Sequence, residues 1–196
     1  MNPETHLLAS WVIAAKATDN PRDCRLVAPW NRDQTLRSAF SASCLWFYQE
    51  LARRIGSPRM DRWVKALHYG NEDTSGGLTN FWLSSSLAIS ANEQVDFLQP
   101  LHGRKLPFSS RSVDMLLDIM TVSKEEGITY RGKTGTAGNG LKLIATAGWW
   151  VGSLSGAKGD YYFATWITGG ENPSGRTARE ITERILRDLE LLPQEK

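Results

Sequence analysis

A hairpin pattern near the end of the chain constrains its fold more than any other feature. The runs Ala145 to Leu154 and Tyr161 to Thr168 are rich in aromatic and β-branched residues, and a short turn containing glycine and lysine, Ser155 to Asp160, joins them. Such runs separated by a short polar turn predict two antiparallel strands. A third strand-like run, Ile128 to Thr136, comes just before them. We therefore predict an antiparallel meander built from these three strands.

Apolar residues at helical spacing flank this meander on both sides. Gly56 is placed to stop one of the helices, and Ser90 is placed to cap another. The order of helices, meander and final helix predicts an α+β domain in which helices pack on an antiparallel sheet. The predicted helices are Leu7 to Lys16, Leu36 to Ile55, Met60 to Leu67, Ala91 to Leu98, Arg111 to Val122 and Arg176 to Leu192.

Composition narrows the classes of function. The 196 residues are 41% hydrophobic and 22% charged, as expected for one globular domain. The net charge of +2 comes from basic residues spread along the chain, which argues against a nucleic-acid surface. No apolar run is long enough to span a membrane, and Met1 to His6 has no secretory-signal pattern. Cys24 and Cys44 are compatible with one disulfide bond and lack metal-ligand spacing. The eight tryptophans are a weak hint of a ligand site.

The triplet Lys133-Thr134-Gly135 lies in the first strand of the predicted meander. Penicillin-recognising serine acyl-transferases use such a triplet on a sheet edge, where the lysine ammonium supplies positive charge near a substrate carboxylate and the active-site hydroxyls. The threonine hydroxyl hydrogen-bonds that carboxylate, and the glycine keeps the strand bare so that substrate can lie close to the backbone. Lys133 is therefore a catalytic candidate, and Thr134 and Gly135 are substrate-binding candidates. Alone, the triplet is equally compatible with a basic residue at a strand end and a tight turn.

Four further strings accompany the triplet along the chain. They are Ser43-Cys44-Leu45, Tyr69-Gly70-Asn71, Trp82 within the segment Gly76 to Leu83, and Trp149-Trp150-Val151-Gly152. In this order the strings resemble class D, or oxacillinase-type, serine β-lactamases over roughly Leu26 to Leu189. The resemblance implies the penicillin-recognising serine β-lactamase/transpeptidase-like fold for residues 26–196, and residues 1–25 stay without a firm assignment.

The resemblance also implies three further site roles. Ser43 corresponds to the serine of a Ser-x-Val motif, whose hydroxyl helps relay a proton to the departing lactam nitrogen. Thr136 corresponds to the strand residue whose backbone N–H forms part of the oxyanion hole. Arg176 corresponds to the arginine that grips the substrate carboxylate with its planar fork of donors. Without the resemblance, Ser43 is a small residue tolerated in a helix, and Arg176 is a solvated residue at a helix start.

Four other residues are expected to shape the site. Leu45 stands where the family usually has valine, beside a carboxylated lysine and the deacylating water, so the bulkier side chain is expected to alter turnover. Trp82 corresponds to the tryptophan whose indole N–H steadies that lysine, with core packing as the plainer interpretation. Tyr69 and Asn71 are interpreted as shaping the site and not as catalysts.

The Ser-x-x-Lys motif that carries the family's nucleophile is not found upstream of Ser43. The one Ser-x-x-Lys in the sequence is Ser155-Gly156-Ala157-Lys158, in the hairpin turn and beyond the Lys-Thr-Gly triplet. The family's base is the lysine of that motif after carboxylation by CO2, and no other cofactor and no metal is implied. We expect an incomplete reading frame that begins near or just after the nucleophile and lacks the signal peptide of a periplasmic family member.

Three functions are compatible with these observations. The first is hydrolysis of β-lactams, with the chain inactive as it stands. The second is a β-lactam-sensing module like those of membrane receptors, although this chain has no transmembrane helix. The third is a fragment of a penicillin-binding transpeptidase, against which Tyr69-Gly70-Asn71 argues, since that group usually has Ser-x-Asn there. The expected partners are small-molecule β-lactams, with no nucleic acid, no membrane span and a homodimer compatible with the family.

The resemblance leads to one geometric prediction. Ser43, Lys133, Thr134 and Arg176 should converge on one cleft, with Ser43 Oγ and Lys133 Nζ no more than about 8 Å apart. The range of substrates should depend on the loops between Ser90 and Pro107 and after Trp150.

Overall fold

The computed structural model describes residues 27–83, 85–139 and 144–194, which divide into two compact units. The first unit holds the described residues up to 89 together with 104–119, and the second holds 90–103 together with those from 120 onward. The predicted helix Leu7 to Lys16, the unassigned residues 1–25 and any pairing of Cys24 lie outside the described residues. In chain order the elements are α1 (Leu36–Ser41), α2 (Leu45–Ile55), α3 (Ser57–Ala66), α4 (Ala91–His102), α5 (Ser110–Ile119), β1 (Thr121–Glu125), β2 (Ile128–Asn139), β3 (Ile144–Gly156), β4 (Gly159–Thr168) and α6 (Gly175–Asp188).

The prediction of one helix from Leu36 to Ile55 is wrong, because the chain breaks there into α1 and α2. Between the two helices Cys44 turns inward and is fully buried, and its N–H donates to Ala39 O at 2.8 Å. The indole N–H of Trp30 donates to Ala42 O at 2.8 Å and so occupies one of the carbonyls released where α1 ends. Burial and carbonyl capping together stabilise a break that helical spacing alone does not indicate.

Gly56 ends α2 as predicted, with the φ of +80° that favours glycine after a helix. Helix α3 follows at once, with Pro58 in its first turn, and confirms the helix predicted over Met60 to Leu67 while beginning three residues earlier. The first unit has an apolar core on α1 and α2 made of Ala39, Cys44, Trp46, Phe47 and Leu51.

The helix predicted over Arg111 to Val122 ends earlier than expected. Helix α5 stops at Ile119, and Thr121 and Val122 instead open strand β1. Neither glycine nor proline marks the boundary, and apolar residues continue through it, so the pattern suggested a longer helix. Strand β1 exists because it pairs with β2 around the turn at Glu126 and Gly127, which is a contact that local periodicity does not report.

The second unit contains a four-stranded antiparallel sheet in the order β1-β2-β3-β4. The three predicted strands are confirmed, and each is longer than predicted. Strand β3 pairs along most of β2, from Thr129 to Asn139, whereas β1 covers β2 only from Ile128 to Arg131. Among the described strands, nothing therefore pairs with the outer edge of β2 beyond Lys133, so its backbone groups there have no strand partner in the described structure.

Helix α6 packs on one face of this sheet through a core of Tyr130, Trp150, Leu154, Ala178 and Leu186. Because side chains alternate along a strand, Tyr162 points to the opposite face, where its ring meets that of His102 on α4. A capping box between Ser90 and Glu93 begins α4, as the sequence predicted for Ser90. The α+β architecture with helices packed on an antiparallel sheet is confirmed.

Two helix ends differ from prediction. Helix α4 runs to His102, four residues past the predicted end at Leu98, and α6 stops at Asp188 instead of Leu192. The N–H groups of Leu191 and Leu192 both turn back to Leu186 O, at 2.8 and 3.2 Å, which closes the end of α6. Within the part of the chain that the structure describes, no helix is long and apolar enough to cross a membrane.

Candidate active site

The candidate site is built on the segment of β2 from Lys133 to Thr136. The alternation of the strand places Thr134 and Thr136 on the face covered by α6, and Lys133 and Gly135 on the opposite face. Thr136 Oγ1 accepts a hydrogen bond of 2.9 Å from the N–H of Gly175, the first residue of α6. One of the N–H groups that the start of a helix leaves without an intrahelical partner is thereby satisfied by the strand.

Two glycines let the start of α6 lie close against the strands. A Cβ at Gly175 would lie 2.6 Å from Gly135 O, and a Cβ at Gly148 on β3 would lie 2.2 Å from Ser174 O. Both distances are too short for a side chain, so the close approach depends on glycine. Neither Gly148 nor Gly175 is a candidate from the sequence, because their spacing around the Lys-Thr-Gly strand carries no local signal. The approach brings the positive end of the α6 dipole beside Thr134 and Thr136.

Lys133 is half-buried on the face away from α6, where its ammonium group stays close to its own strand. Its Nζ donates to Thr134 O at 2.5 Å and approaches Thr134 Oγ1 at 3.4 Å. Burial removes water from the charged form and lowers the pKa of Lys133 to about 8. Near neutral pH the group is mostly protonated, and it becomes a neutral amine in mildly alkaline solution.

We expect the Lys133 amine to titrate near pH 8 in the folded chain, which NMR of lysines labelled with ¹³C at Cε would show directly. The unfolded value is about 10.4, so folding favours the neutral amine. Burying the charged amine therefore destabilises the folded chain. This destabilisation is complete below pH 8 and decreases as the pH rises towards the pKa of lysine in the unfolded chain. The free energy of unfolding should therefore increase between about pH 8 and 10 relative to Lys133→Met. A lysine signal that titrates only near 10.4 would contradict this account.

Arg176 is the second residue of α6, and its side chain is 87% exposed. Its Nε donates to Glu180 Oε1 at 2.8 Å, one helical turn further along. An exposed pair of this kind contributes little free energy. The guanidinium would thus lose little on exchanging Glu180 for a substrate carboxylate. Binding of a substrate carboxylate by Arg176 stays a prediction.

Ser43 and Leu45 lie where α1 gives way to α2. The prediction that Ser43 sits within a helix is wrong, because it occupies the turn between the two helices with φ +49° and is exposed. Leu45 is the first residue of α2 and is half-buried. Ser43 belongs to the first unit and Lys133 to the second, so the expected distance between their side chains stays a prediction.

Asn71 joins two loops of the first unit. Its Nδ2 donates to Ser86 O at 2.8 Å, its Oδ1 accepts from Ala88 N at 2.9 Å, and its own N–H donates to Ala88 O at 2.9 Å. Gly70 beside it has φ +58°, and a Cβ there would lie 2.1 Å from Ala88 O. The Tyr69-Gly70-Asn71 turn therefore positions the segment after Trp82, whose ring meets Phe81 edge-on at 5.0 Å.

Asn71→Ala should lower the free energy of unfolding by about 1.5–4.5 kcal/mol, because three side-chain hydrogen bonds, with Ser86, Ala88 and Asp73, are lost at about 0.5–1.5 kcal/mol each. Asn71→Asp is the matched variant, since it keeps the acceptor for Ala88 and loses only the donor to Ser86. Urea unfolding should rank the three proteins as wild type, Asp variant and Ala variant. Equal stability of all three would show that Asn71 does not hold this loop.

The helices and the four-stranded antiparallel sheet match the architecture expected for the serine β-lactamase/transpeptidase fold, and comparison with known proteins agrees. The family model described as "Penicillin binding protein transpeptidase domain" matches residues 14–187. The chain belongs to this transpeptidase family and, within it, to the class D β-lactamases and their close relatives. The resemblance seen in the motifs is thereby confirmed.

Several relatives carry informative descriptions. "Probable beta-lactamase YbxI" of Bacillus subtilis strain 168 is 42% identical over 163 residues, covering 83% of this chain and 58% of the relative. "Methicillin resistance mecR1 protein" of Staphylococcus aureus is 36% identical over 164 residues, covering 83% of this chain and 27% of the relative. The chain therefore spans a little over half the length of this β-lactamase relative and about a quarter of the mecR1 relative.

Solved structures agree on the fold. A class D β-lactamase from Bacillus subtilis superposes with a TM-score of 0.85 at 36% identity, covering 97% of this chain and 77% of that one. The C-terminal domain of the Bacillus licheniformis BlaR penicillin-receptor superposes with a TM-score of 0.82 at 31% identity, covering 96% and 79%. The penicillin-recognising serine β-lactamase/transpeptidase fold expected from the sequence is thus confirmed.

Proposed function

We propose that this domain recognises β-lactams at the Lys133 to Thr136 strand, and that the chemistry of the site is acyl transfer leading to hydrolysis of the lactam amide. The observation that carries the proposal is the open outer edge of β2 beside a half-buried lysine. An open edge offers backbone donors and acceptors to an extended substrate, and a desolvated ammonium attracts a carboxylate more strongly than an exposed one does.

Each residue of the strand has a role in this proposal. The Lys133 ammonium attracts the carboxylate that penicillins carry, and Thr134 and Arg176 hydrogen-bond it. The N–H of Thr136 serves the oxyanion that forms when the lactam carbonyl is attacked. The dipole at the start of α6, which the Thr136 hydroxyl anchors, adds positive potential on the same side of the strand.

We further propose that the 196-residue chain binds a penicillin without turning it over, because Ser-x-x-Lys is missing from the expected position. Ser43 relays a proton in this scheme and is not the attacking group. No Ser-x-x-Lys stands upstream of Ser43 in the sequence, so we assign no step to the family's carboxylated lysine.

Binding of benzylpenicillin to the purified chain should be detectable by NMR titration, and Lys133→Met should weaken it about tenfold or more, equivalent to at least 1.4 kcal/mol. Lys65→Met is the matched control, because Lys65 is an exposed lysine paired with Asp61 on α3. Thr134→Val tests the hydroxyl separately. If the Lys133 and Lys65 variants bind benzylpenicillin equally strongly, the Lys133 strand is not the binding site and the proposal is wrong.

A penicillin receptor is the second candidate function, and the superposition on the BlaR penicillin-receptor domain favours it specifically. The two functions differ in how long an acyl-enzyme survives. A chimera that joins a Ser-x-x-Lys segment of a class D β-lactamase to this chain would supply a nucleophile. Rapid loss of the adduct in mass spectrometry indicates a hydrolase, and a stable adduct indicates a receptor.

Leu45→Val in the same chimera tests the expectation that the bulkier leucine slows deacylation. Faster loss of the adduct in the valine variant is the expected result. An unchanged lifetime would show that Leu45 lies away from the hydrolytic water.

A further inference from the structure

A row of polar side chains crosses the sheet on the face that α4 covers. In the strand register Arg131 on β2 stands opposite Ser153 on β3, and Ser153 stands opposite Tyr162 on β4. Directly opposed residues on neighbouring strands point to the same side, so the three side chains stand next to one another. Ser153, in the middle, has the smallest side chain of the three, so it extends less far from the sheet than Arg131 and Tyr162 do.

His102, at the end of α4, lies over this row. Its ring is 5.1 Å from the ring of Tyr162, in an edge-to-face arrangement. Burial lowers the pKa of His102, and the positive charge of Arg131 lowers it further. The imidazole therefore contacts Tyr162 at one end of the row and lies within electrostatic reach of Arg131 at the other end.

Three buried polar atoms of this cluster have no hydrogen-bond partner among the described residues. They are Ser153 Oγ, Arg131 Nε and His102 Nε2, and Ser153 as a residue is only 1% exposed. Burying a polar group without a hydrogen-bond partner costs about 1–3 kcal/mol of folding free energy. Three such groups in one cluster therefore favour a bound partner that they share. The Ser153 hydroxyl and the Arg131 Nε–H are donors, and neutral His102 can also donate from Nε2.

The charges around the cluster favour a negative partner. Arg131 and Lys133 lie two residues apart on the same side of β2, and Asp160 is the carboxylate that acts on Arg131 and His102. Asp160 is exposed and forms no ion pair within 4.0 Å with Arg131 in the described structure. While Lys133 is protonated, the charges of Arg131 and Lys133 outweigh that of Asp160, and the net charge around the cluster is positive.

We propose that Arg131, His102 and Ser153 form a buried binding site for a single halide-sized anion, chloride under ordinary conditions. Three donors contributed by β2, β3 and α4 match the ligands that a monatomic anion needs. The bound anion would tie α4 to the sheet next to the strand that carries Lys133.

Bromide is the probe for this site. Thermal unfolding of the full chain should show a saturable rise of about 2–4 °C in sodium bromide over sodium gluconate of equal ionic strength, once bromide is several-fold above its Kd. Anomalous diffraction from crystals grown in bromide should place one peak within hydrogen-bond reach of Ser153 Oγ and Arg131 Nε. Arg131→Met should abolish both effects.

Arg54→Met is the matched control, because Arg54 is an exposed arginine paired with Glu50 and its loss should leave the bromide effect intact. If Arg131→Met does not fold, Ser153→Ala gives a second measure, with a bromide Kd raised several-fold. No halide-specific stabilisation, or a carboxylate of the chain seated on Arg131 Nε, would overturn the proposal. A bromide peak without any stabilisation means an adventitious ion only and would overturn it as well.

Discussion

The purified 196-residue chain is expected to leave a chromogenic cephalosporin unhydrolysed above the background rate. Loss of the nucleophile from a serine acyl-transferase can lower kcat by roughly 10⁶, and the oxyanion hole and binding groups alone retain only about 10³–10⁴ over water. No Ser-x-x-Lys stands upstream of Ser43 in the sequence. The serine that would attack the lactam and the lysine that would activate water are therefore both missing from the expected position. Penicillin would bind at the Lys133 strand and leave unchanged.

Ser43 is a poor replacement for the nucleophile. It lies in the turn between α1 and α2 with a left-handed backbone, and a serine needs an adjacent base to attack a lactam. Mass spectrometry after incubation with benzylpenicillin should therefore find the unmodified mass. The chimera that carries a donated Ser-x-x-Lys segment is the positive control for the assay. Turnover by the chain alone, or a stable adduct on any of its serines, would contradict the prediction.

Trp150→Ala should lower the free energy of unfolding by about 3–5 kcal/mol, the usual range for removing a large buried aromatic residue. Trp150 is 2% exposed in the core between the sheet and α6. Its indole N–H donates to Tyr130 Oη at 2.7 Å, and the guanidinium of Arg179 lies 5.2 Å from the ring centre. Removing the indole leaves the buried Tyr130 hydroxyl without this donor and takes away the ring under Arg179.

Trp166→Ala is the matched control, because Trp166 is 43% exposed on the other face of the sheet, where it contacts Trp149. Its loss should cost about 1 kcal/mol or less. Trp150→Phe separates the two contributions, since it keeps most of the apolar ring and removes only the N–H. Guanidinium unfolding monitored by circular dichroism gives the three values. Similar losses for both Trp→Ala variants would show that the core does not depend on Trp150.

Local sequence patterns were sufficient for the elements whose cause is local. The hairpin of β3 and β4 follows from two strand-forming runs and a short polar turn, the end of α2 follows from Gly56, and the start of α4 follows from Ser90. Each of these signals acts within a few residues, so the folded context does not change it. The family too was readable from motifs, since the chemistry of the site requires particular residue types in a particular order.

The remaining features depend on contacts between residues far apart in the chain. Strand β1 forms because β2 offers a partner, and the break before Ser43 forms because Trp30 binds Ala42 O while Cys44 is buried. The packing of α6 on the Lys-Thr-Gly strand is decided by Gly148 and Gly175, which approach backbone that is distant in sequence. The sequence by itself determined the residue types of the site and the order of its elements. Only the tertiary structure decided which backbones meet, because packing at van der Waals distance leaves no trace in local periodicity.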